Sequence, residues 1–274
     1  MDQSNDVASW WRTSIIDMEP GRIGLRGYDI ADVIDHAGFV QMIWLMTRGD
    51  LPSPEQARLL ERALVASVDH GPQAPSIAVA RMAVTCGVGL NGAIASAVNL
   101  LDDVHGGAGE QAVELLTRVV DLIRDFASPE EAANRALDGW TAAHGPIVPG
   151  LGHRFHKDGD PRSPALLAAV DAARDAGVVS GDFALAARAV EAVLSHRKGR
   201  RIPINIDGAT AVIFAELGFA GPLARGLFCL SRSVGILAHA WEQMQQGGRN
   251  KGPTPPAYRW LYDGAAPRRI AIDN

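Results

Sequence analysis

The chain of 274 residues lacks several features that identify common protein classes. Its only cysteines, Cys86 and Cys229, lie in apolar sequence, which predicts small core residues in a reducing compartment rather than a disulfide framework. No apolar run approaches the ~20 residues that span a bilayer, and the first residues do not resemble a signal peptide. The net charge of −5 provides no general basic field. We therefore expect a cytoplasmic protein without nucleic-acid or membrane partners.

Motifs of frequent catalytic classes are missing as well. The sequence has no GxxxxGK[ST] loop, no GxGxxG after a strand, no HExxH, no paired CxxC and no GxSxG. These absences argue against the common nucleotide-binding, zinc-protease and serine-hydrolase classes. His105 and His153 could converge on a metal, but no HxH or HxxxH pair supplies ligands from one element, so we predict no metal site.

What is present favours helices. The sequence is 47% hydrophobic, with abundant alanine and few β-branched clusters. Ser53-Pro54-Glu55-Gln56 and Ser128-Pro129-Glu130-Glu131 each predict a helix start with a capping box, and Asp29 predicts another cap. Residues 21–29 are the one stretch that suits a short hairpin, and a long last helix is predicted from about Pro222 to Gln246. We expect an all-α fold with roughly two-thirds or more of the residues in helices, against ~30–35% in typical domains.

Three glycine-rich breaks carry the residues best suited to chemistry. They are His105-Gly106-Gly107, Pro149-Gly150-Leu151-Gly152-His153 and Asn205-Ile206-Asp207-Gly208. Loops in a helical protein are where functional residues concentrate. Two histidines and one aspartate suit proton removal from the carbon beside a thioester, because a carboxylate takes the proton while two donors stabilise the enolate and polarise a ketone. Arginines would hold substrate carboxylates in bidentate pairs.

Eight short motifs resemble, in order and spacing, those of citrate synthases and the related citryl-CoA lyases. The resemblance runs from about Thr13 to Gly264. The motifs are Thr13-Ser14-Ile15, Arg26-Gly27-Tyr28-Asp29-Ile30, Asp69-His70-Gly71, Val104-His105-Gly106-Gly107-Ala108, Pro149-Gly150-Leu151-Gly152-His153-Arg154, Asp160-Pro161-Arg162, Asn205-Ile206-Asp207-Gly208 and Ser231-Arg232-Ser233-Val234-Gly235. The resemblance implies a citrate synthase-like fold with a large helical domain (residues 1–106 and 207–274) and a small helical domain (residues 107–206). It also implies a homodimer.

The resemblance further implies a role for each motif residue. His105 would hydrogen-bond the thioester carbonyl, His153 would polarise the ketone of oxaloacetate or accept the citryl hydroxyl proton, and Asp207 would be the base on the acyl methyl. The residues implied to hold the dicarboxylate are His70, Arg162 and Arg232. The residues implied to bind the coenzyme are Gly150, Leu151, Gly152, Arg154 and Lys157, with the basic residues 197–201 as further candidates for its phosphates. No tightly bound cofactor is implied, since the coenzyme A thioester is a substrate.

Simpler interpretations exist for several of these residues. His70 can complement a helix C-terminus, Asp207 can cap the next helix, and Arg162 can be a solvated residue at a helix start. Arg232 is harder to explain in this way, because a guanidinium within an apolar helix needs an anion.

Two observations bear on the reaction direction. Synthases usually carry an Arg-Pro pair after the last long helix, which is absent from residues 248–256, where Arg249 or Lys251 could substitute. Asn205-Ile206-Asp207-Gly208 resembles the lyase version of its motif, whereas His105 before a glycine pair resembles the synthase version. We therefore expect a citryl-CoA lyase, with citrate synthase as the alternative. A catalytically silent homologue that binds a coenzyme A thioester is the alternative from another class.

Overall fold

The computed structural model describes residues 9–125 and 128–270, which are mainly helical. The antiparallel strands β1 (Ile16–Glu19), β2 (Arg22–Leu25) and β3 (Tyr28–Asp29) form one small sheet in that order. The helices of the described residues are α1 (Ile30–His36), α2 (Phe39–Arg48), α3 (Pro54–Ser67), α4 (Pro75–Thr85), α5 (Leu90–Val98), α6 (Ala108–Arg124), α7 (Pro129–His144), α8 (Ser163–Asp175), α9 (Asp182–Lys198), α10 (Ile206–Glu216) and α11 (Gly221–Gln246). With 59% of the described residues helical, the all-α prediction is confirmed, although the share is below two-thirds.

Three helix starts follow the capping chemistry that the sequence predicts. Ser53 and Gln56 form a reciprocal capping box at the start of α3. Ser128 and Glu131 form the same arrangement at α7. The Asp29 side chain accepts a main-chain amide hydrogen in the first turn of α1. These short-range predictions are confirmed because each cap depends only on residues within one helical turn.

Helix α10 lies at the centre of the hydrophobic core. Every residue from Gly208 to Ala215 is buried. A helix that is apolar on all sides is stable only where other elements cover each side, and α3, α6, α8 and α9 pack around α10. The first turn of α10, which carries Asp207, is therefore held by the core.

The chain forms two compact units. The first unit contains the described part of Met1–Asp69 together with Leu101–Arg232, and the second contains His70–Leu100 with the described part of Ser233–Asn274. The predicted division into domains of residues 1–106 with 207–274 and of residues 107–206 stays a prediction.

The second unit consists of α4, α5 and the end of α11, with a core made largely of alanine. An ion pair of 2.6 Å joins Arg81 of α4 to Glu242 of α11. Cys86 follows the last residue of α4 and is exposed, so the prediction that it is a core residue is wrong. The apolar sequence before Cys86 belongs to the helix, whereas the cysteine and Gly87 form its end. In the part of the chain that the structure describes, no helix has the length and apolar character needed to cross a bilayer.

Candidate active site

Asp207 lies in the first turn of α10, but another residue caps that helix. The cap is Asn205, whose side-chain oxygen accepts a hydrogen bond from the Gly208 amide at 3.1 Å. The interpretation of Asp207 as the cap is therefore wrong, and capping does not occupy its carboxylate. Burial raises the pKa of the half-buried Asp207, and the positive charge of Arg232 opposes that rise. Such a carboxylate holds a proton at a higher pH than an exposed one does.

Two glycines let another loop approach the start of α10. This loop (residues 145–162) joins α7 to α8 and is called the His153 loop below. A Cβ atom on Gly150 would lie 2.8 Å from the Gly208 Cα, and Gly150 has a φ of +78°. A Cβ atom on Gly208 would meet the Gly150 carbonyl even more closely. The two backbones can meet only because neither residue has a side chain.

Hydrogen bonds then join the two segments. The Asn205 amide donates to the Gly150 carbonyl at 3.0 Å, and the Gly152 amide donates to the Pro203 carbonyl at 2.8 Å. The Asn205 side chain donates to the Gly152 carbonyl at 2.6 Å. These bonds fix the backbone that leads into His153.

The hydrogen bonds of His153 determine its tautomer. Its Nδ1 accepts from the main-chain amides of Phe155 and His156, each at 3.1 Å. Because an acceptor nitrogen carries no proton, the proton of the neutral ring lies on Nε2. Burial lowers the pKa of His153, and the nearby Asp160 carboxylate opposes that change. The ring is thus a neutral Nε2–H donor.

Arg162 is held by a buried carboxylate. Its Nε and Nη2 donate to the two oxygens of Asp160 at 3.0 and 2.8 Å, and its Nη1 donates to the Ala66 carbonyl at 3.3 Å. The Asp160 side chain is fully buried. Burial alone would raise the pKa of Asp160, but the hydrogen bonds from Arg162 outweigh it and lower the pKa to about 2. The interpretation of Arg162 as a solvated residue at a helix start is therefore wrong.

Arg232 is almost completely buried in α11, with 6% exposure. Its Nε donates to the Ser67 carbonyl at 3.0 Å, and its guanidinium lies 4.8 Å from the centre of the Phe228 ring. Burial lowers the pKa of Arg232, whereas the carboxylates of Asp207 and Asp69 raise it. The need for an anion that the sequence indicates is thus met in part by these two carboxylates.

His105 precedes α6 in a tight turn of residues 101–107, called the His105 turn below. The residue is half-buried. Burial, followed by the positive charge of Arg232, lowers the pKa of His105. Both changes favour a neutral imidazole, which is the form that donates a hydrogen bond without a formal charge.

The electrostatic couplings connect these side chains into one group. Arg232 acts on the pKa of both His105 and Asp207. Asp207 is in turn influenced by Arg162 and His153. The contacts agree for the two arginines, since Arg162 and Arg232 donate to the adjacent carbonyls of Ala66 and Ser67 at the end of α3. Their assigned roles stay predictions.

His70 is the one proposed substrate ligand that lies outside the first unit. It belongs to the second unit and is exposed, two residues beyond the C-cap of α3. Its role in holding the dicarboxylate stays a prediction.

The residues expected to bind the coenzyme differ in accessibility. Gly150 is buried, and main-chain groups of Gly150 and Gly152 already bond within the protein. Leu151 is half-buried, and Arg154 and Lys157 are exposed. Contact with a coenzyme is therefore easiest for the last three of these residues.

Two further regions supply candidate basic residues, residues 197–201 for the coenzyme phosphates and residues 248–256 for the missing arginine. Some of these residues already bond within the protein. Arg197 donates to Asn134 and forms a 2.7 Å ion pair with Asp138. The Lys251 ammonium donates to the Gln243 side chain at 3.2 Å. Arg197 is thus a weaker candidate for a phosphate than its neighbours, and Lys251 is a weaker candidate than Arg249 for replacing the missing arginine.

The sequence motifs contain two residues whose importance only the structure reveals. Asn205 ties α10 to the His153 loop, and Asp160 holds Arg162. An acidic residue two positions before an arginine is a sequence signal for the second pair, but its burial cannot be seen in the sequence. Among the described residues, no group of three or more His, Cys, Asp or Glu residues could hold a metal ion.

Comparison with known proteins gives consistent results. A family model for the C-terminal domain of citrate synthase matches residues 52–254. Citrate synthase 1 of Mycobacterium tuberculosis is 30% identical over 227 residues, which are 80% of this chain and 50% of that protein. The citrate synthase of Haloferax volcanii is 29% identical over 223 residues, which are 80% of this chain and 55% of that protein. The chain thus spans about half the length of these curated relatives.

Solved structures show similar folds. Citryl-CoA lyase from Hydrogenobacter thermophilus superimposes with a TM-score of 0.83 at 30% identity, over 96% of this chain and 98% of that chain. ATP citrate lyase from Methanothrix soehngenii, solved in complex with citrate and coenzyme A, superimposes with a TM-score of 0.77 at 23% identity, over 96% of this chain and 45% of that chain. At this lower identity the second likeness shows the fold alone.

Proposed function

Because this chain belongs to the citrate synthase family, we propose that it is a citryl-CoA lyase, which cleaves citryl-CoA to acetyl-CoA and oxaloacetate. Its fold is citrate synthase-like, as predicted. The observation that carries the proposed direction is the likeness to the lyase from Hydrogenobacter thermophilus, which extends over nearly the full length of both chains. That superposition has a TM-score of 0.83 at 30% identity.

The chemistry of cleavage assigns a task to each residue of the group. The citryl hydroxyl gives its proton to Nε2 of His153, the bond from the hydroxyl-bearing carbon to the thioester-bearing methylene breaks, and the electrons of that bond form the enolate of acetyl-CoA. His105 stabilises the enolate oxygen with a hydrogen bond, and Asp207 gives a proton to the enolate carbon. The raised pKa of Asp207 supports this role, since a proton donor must be protonated part of the time.

The tautomer of His153 bears on both directions, because cleavage and condensation use the same proton transfer in opposite senses. To take the citryl hydroxyl proton at Nε2, the ring must first move its own proton to Nδ1, which requires the Phe155 and His156 amides to release that atom. In condensation, the Nε2–H group polarises the oxaloacetate ketone and gives its proton to the alkoxide that forms, and Nδ1 must then take up a proton, so the two amides must release it in this direction too. Citrate synthase stays the second candidate because the family model and the curated relatives are citrate synthases.

Two arginines suit the carboxylates of the substrate. The Arg162 fork is oriented by Asp160, and Arg232 is buried with a single carbonyl partner on its Nε. Each guanidinium has five N–H bonds, so each keeps donors beyond those used within the protein. His70 is the third proposed contact, with Arg249 in place of the arginine that synthases carry after the last helix. The coenzyme thioester contacts Leu151, Arg154 and Lys157.

The proposed partner is a second copy of the chain. Within the second unit, α11 exposes Val234, Leu237, Trp241 and Met244, which are between 42% and 59% exposed. Their spacing of three and four residues is the spacing by which one helix packs against another. In a two-fold dimer the same apolar face of each copy meets its counterpart. Light scattering at micromolar concentration tests this, since a monomer mass contradicts it. The proposed location stays the cytoplasm, in keeping with the few cysteines.

One experiment separates the proposed activities. The protein is incubated with citryl-CoA, and separately with acetyl-CoA and oxaloacetate, and the products are identified by mass spectrometry. Rapid release of acetyl-CoA from citryl-CoA, without citrate formation from acetyl-CoA and oxaloacetate, supports the lyase. Free citrate and coenzyme A in the second incubation support the synthase.

Asp207→Asn is the matched control, since it keeps the size of the side chain and removes the titrating group. Thioester binding measured by calorimetry, with no turnover of either substrate by the wild type, contradicts both reactions and supports the silent homologue.

A further inference from the structure

The backbone of the His105 turn is tightly folded. Gly106 has a φ of +107°, which side chains rarely adopt. A Cβ atom on Gly107 would lie 2.7 Å from the Asp103 Cα. The direction of the His105 side chain therefore depends on this turn keeping its shape.

A single arginine on α11 binds both acidic residues of the turn. Arg225 Nη1 donates to Asp102 at 2.5 Å, and its Nη2 donates to Asp103 at 2.6 Å. Its Nε forms an ion pair with Glu110, in the first turn of α6. The side chains of Arg225 and Glu110 are mostly buried, at 22% and 14% exposure, whereas the two aspartates are largely exposed. These four residues are called the Arg225 cluster.

The geometry of the cluster suits an arginine better than a lysine. The planar fork of Arg225 places donors on three separate nitrogens, each facing a different carboxylate, whereas the three donors of a lysine ammonium all lie on one nitrogen. The hydrogen bonds that Arg225 donates, above all the one to Asp103, raise the pKa of Arg225. Exposed ion pairs contribute little one at a time, but here several share one mostly buried guanidinium. Without Arg225, the carboxylates of Asp102, Asp103 and Glu110 would repel one another.

The same face of α11 reaches the candidate active site. Phe228 lies three residues and Arg232 seven residues after Arg225, so the three side chains share one side of the helix. The Phe228 ring limits the space at Gly106, where a Cβ atom would lie 3.1 Å from it. Arg232 acts on the pKa of His105. One helix face thus supports the turn from outside and lines the site at its other end.

We propose that Arg225 is a positioning residue, which holds the His105 turn through Asp102 and Asp103 and so directs the His105 imidazole at the thioester oxygen. The inference rests on the proposed function, because it takes His105 as the donor to that oxygen. Arg225 itself is already occupied by three carboxylates and has no place in the assigned chemistry.

Kinetics of Arg225→Met and Arg225→Lys test this role, with whichever substrate the wild type turns over. We expect kcat of Arg225→Met to fall about tenfold to a hundredfold, because a donor misplaced by about 1 Å loses much of its effect. KM should change less than about threefold, and Arg225→Lys should retain part of the lost rate. Arg188→Met is the control, since it removes a 2.6 Å ion pair to Asp171 in the same unit but away from the site.

A second measurement requires no substrate. The His105 imidazole is titrated by NMR in protein with labelled histidine, and its signal is assigned by comparison with His105→Gln. Burial lowers the pKa of His105, so a loosened turn in Arg225→Met should raise that pKa toward its ordinary value.

The two measurements separate the possible failures. Wild-type kcat together with wild-type His105 titration in Arg225→Met overturns the positioning role. Equal losses in Arg188→Met overturn it as well, because they show a general loss of structure. If the wild type turns over neither substrate, the proposed function fails, and the His105 titration alone still decides whether Arg225 holds the turn.

Discussion

The two histidines of the candidate active site are held by different forces. The His153 loop is joined to the start of α10 by main-chain hydrogen bonds and by the contact of Gly150 with Gly208. The His105 turn is instead held from outside by Arg225, whose ion pairs reach largely exposed aspartates. Packing of backbone on backbone is insensitive to salt and permits little displacement, whereas exposed ion pairs are screened and weaker. His153 is therefore positioned mainly by backbone packing, and His105 mainly by ion pairs.

This difference suits the tasks proposed for the two residues. His153 must present one nitrogen to a ketone or hydroxyl, and its tautomer depends on two amide donors in the same loop. His105 must follow a thioester that enters and leaves with a large coenzyme.

Removal of the Asp207 carboxylate should have the greatest consequence. Asp207→Asn should reduce kcat by roughly a hundredfold to ten-thousandfold, the usual contribution of a general acid or base. Thioester affinity should be nearly unchanged, because the amide has the same size. The checks are steady-state kinetics and calorimetric titration with the coenzyme A thioester. Wild-type turnover in this variant would remove Asp207 from the mechanism, and with it the reason to compare the two histidines.

One added methyl group tests the backbone contact that holds the His153 loop. Gly208→Ala places a Cβ atom against the Gly150 carbonyl, with backbone on both sides of the contact. We expect a loss of roughly 3 kcal/mol in the free energy of unfolding, at the upper end for overpacking, together with displacement of the His153 loop. Denaturant unfolding monitored by circular dichroism measures the loss.

Gly139→Ala is the control for this experiment. Gly139 lies within α7 with no atom within 4 Å of an added Cβ, so the change should stabilise the protein by about 0.5–1 kcal/mol. A Gly208→Ala variant as stable as Gly139→Ala would mean that the contact with Gly150 does not hold the loop.

The buried ion pair of the His153 loop should appear in the dependence of stability on pH. The pKa of Asp160 is lowered from 3.8 to about 2 in the folded protein, so its contribution is present above pH ~4 and is lost as the pH falls toward ~2. A shift of this size corresponds to about 2 kcal/mol. Asp160→Asn should therefore be less stable than the wild type at pH 7, and the difference should shrink at pH 3. Chemical denaturation at several pH values provides the measurement.

Asp138→Asn is the comparison for Asp160. It removes an ion pair with Arg197 in which the aspartate is largely exposed, and it should change stability by less than about 1 kcal/mol. If the difference in unfolding free energy between Asp160→Asn and the wild type is the same at pH 7 and at pH 3, this pair does not support the loop.

The smallest effect should come from salt. Raising the NaCl concentration from about 0.05 to 0.5 M shortens the screening length and weakens the pairs of Arg225 with Asp102 and Asp103. Hydrogen exchange of amides in the His105 turn should accelerate by a few-fold. The amides of Gly152 and Asn205, which bond to main-chain carbonyls, should change less than twofold. Equal acceleration in both regions would contradict the distinction between backbone packing and ion pairs.

Several features could be predicted because they depend on neighbours in the chain. The helix caps at Asp29, Ser53 and Ser128 each use atoms within one turn, and the helical class follows from composition and periodicity. The motif residues of the site were also evident by resemblance. The role of Asn205 as the helix cap was not, because both Asn205 and Asp207 suit an N-cap, and the choice depends on which residue begins α10.

The sequence by itself determined the helical class, the family and the residue types available for chemistry, since these depend on local preferences and on motif order. Only the tertiary structure decided that the backbones of Gly150 and Gly208 contact each other and that Asp160 orients Arg162. It also decided that Arg225 reaches the His105 turn across more than a hundred residues of sequence. The physical reason is that burial and close approach arise from the packing of distant segments. A glycine, a carboxylate or a guanidinium has the same preferences in the sequence whether its partner is solvent or a residue far along the chain.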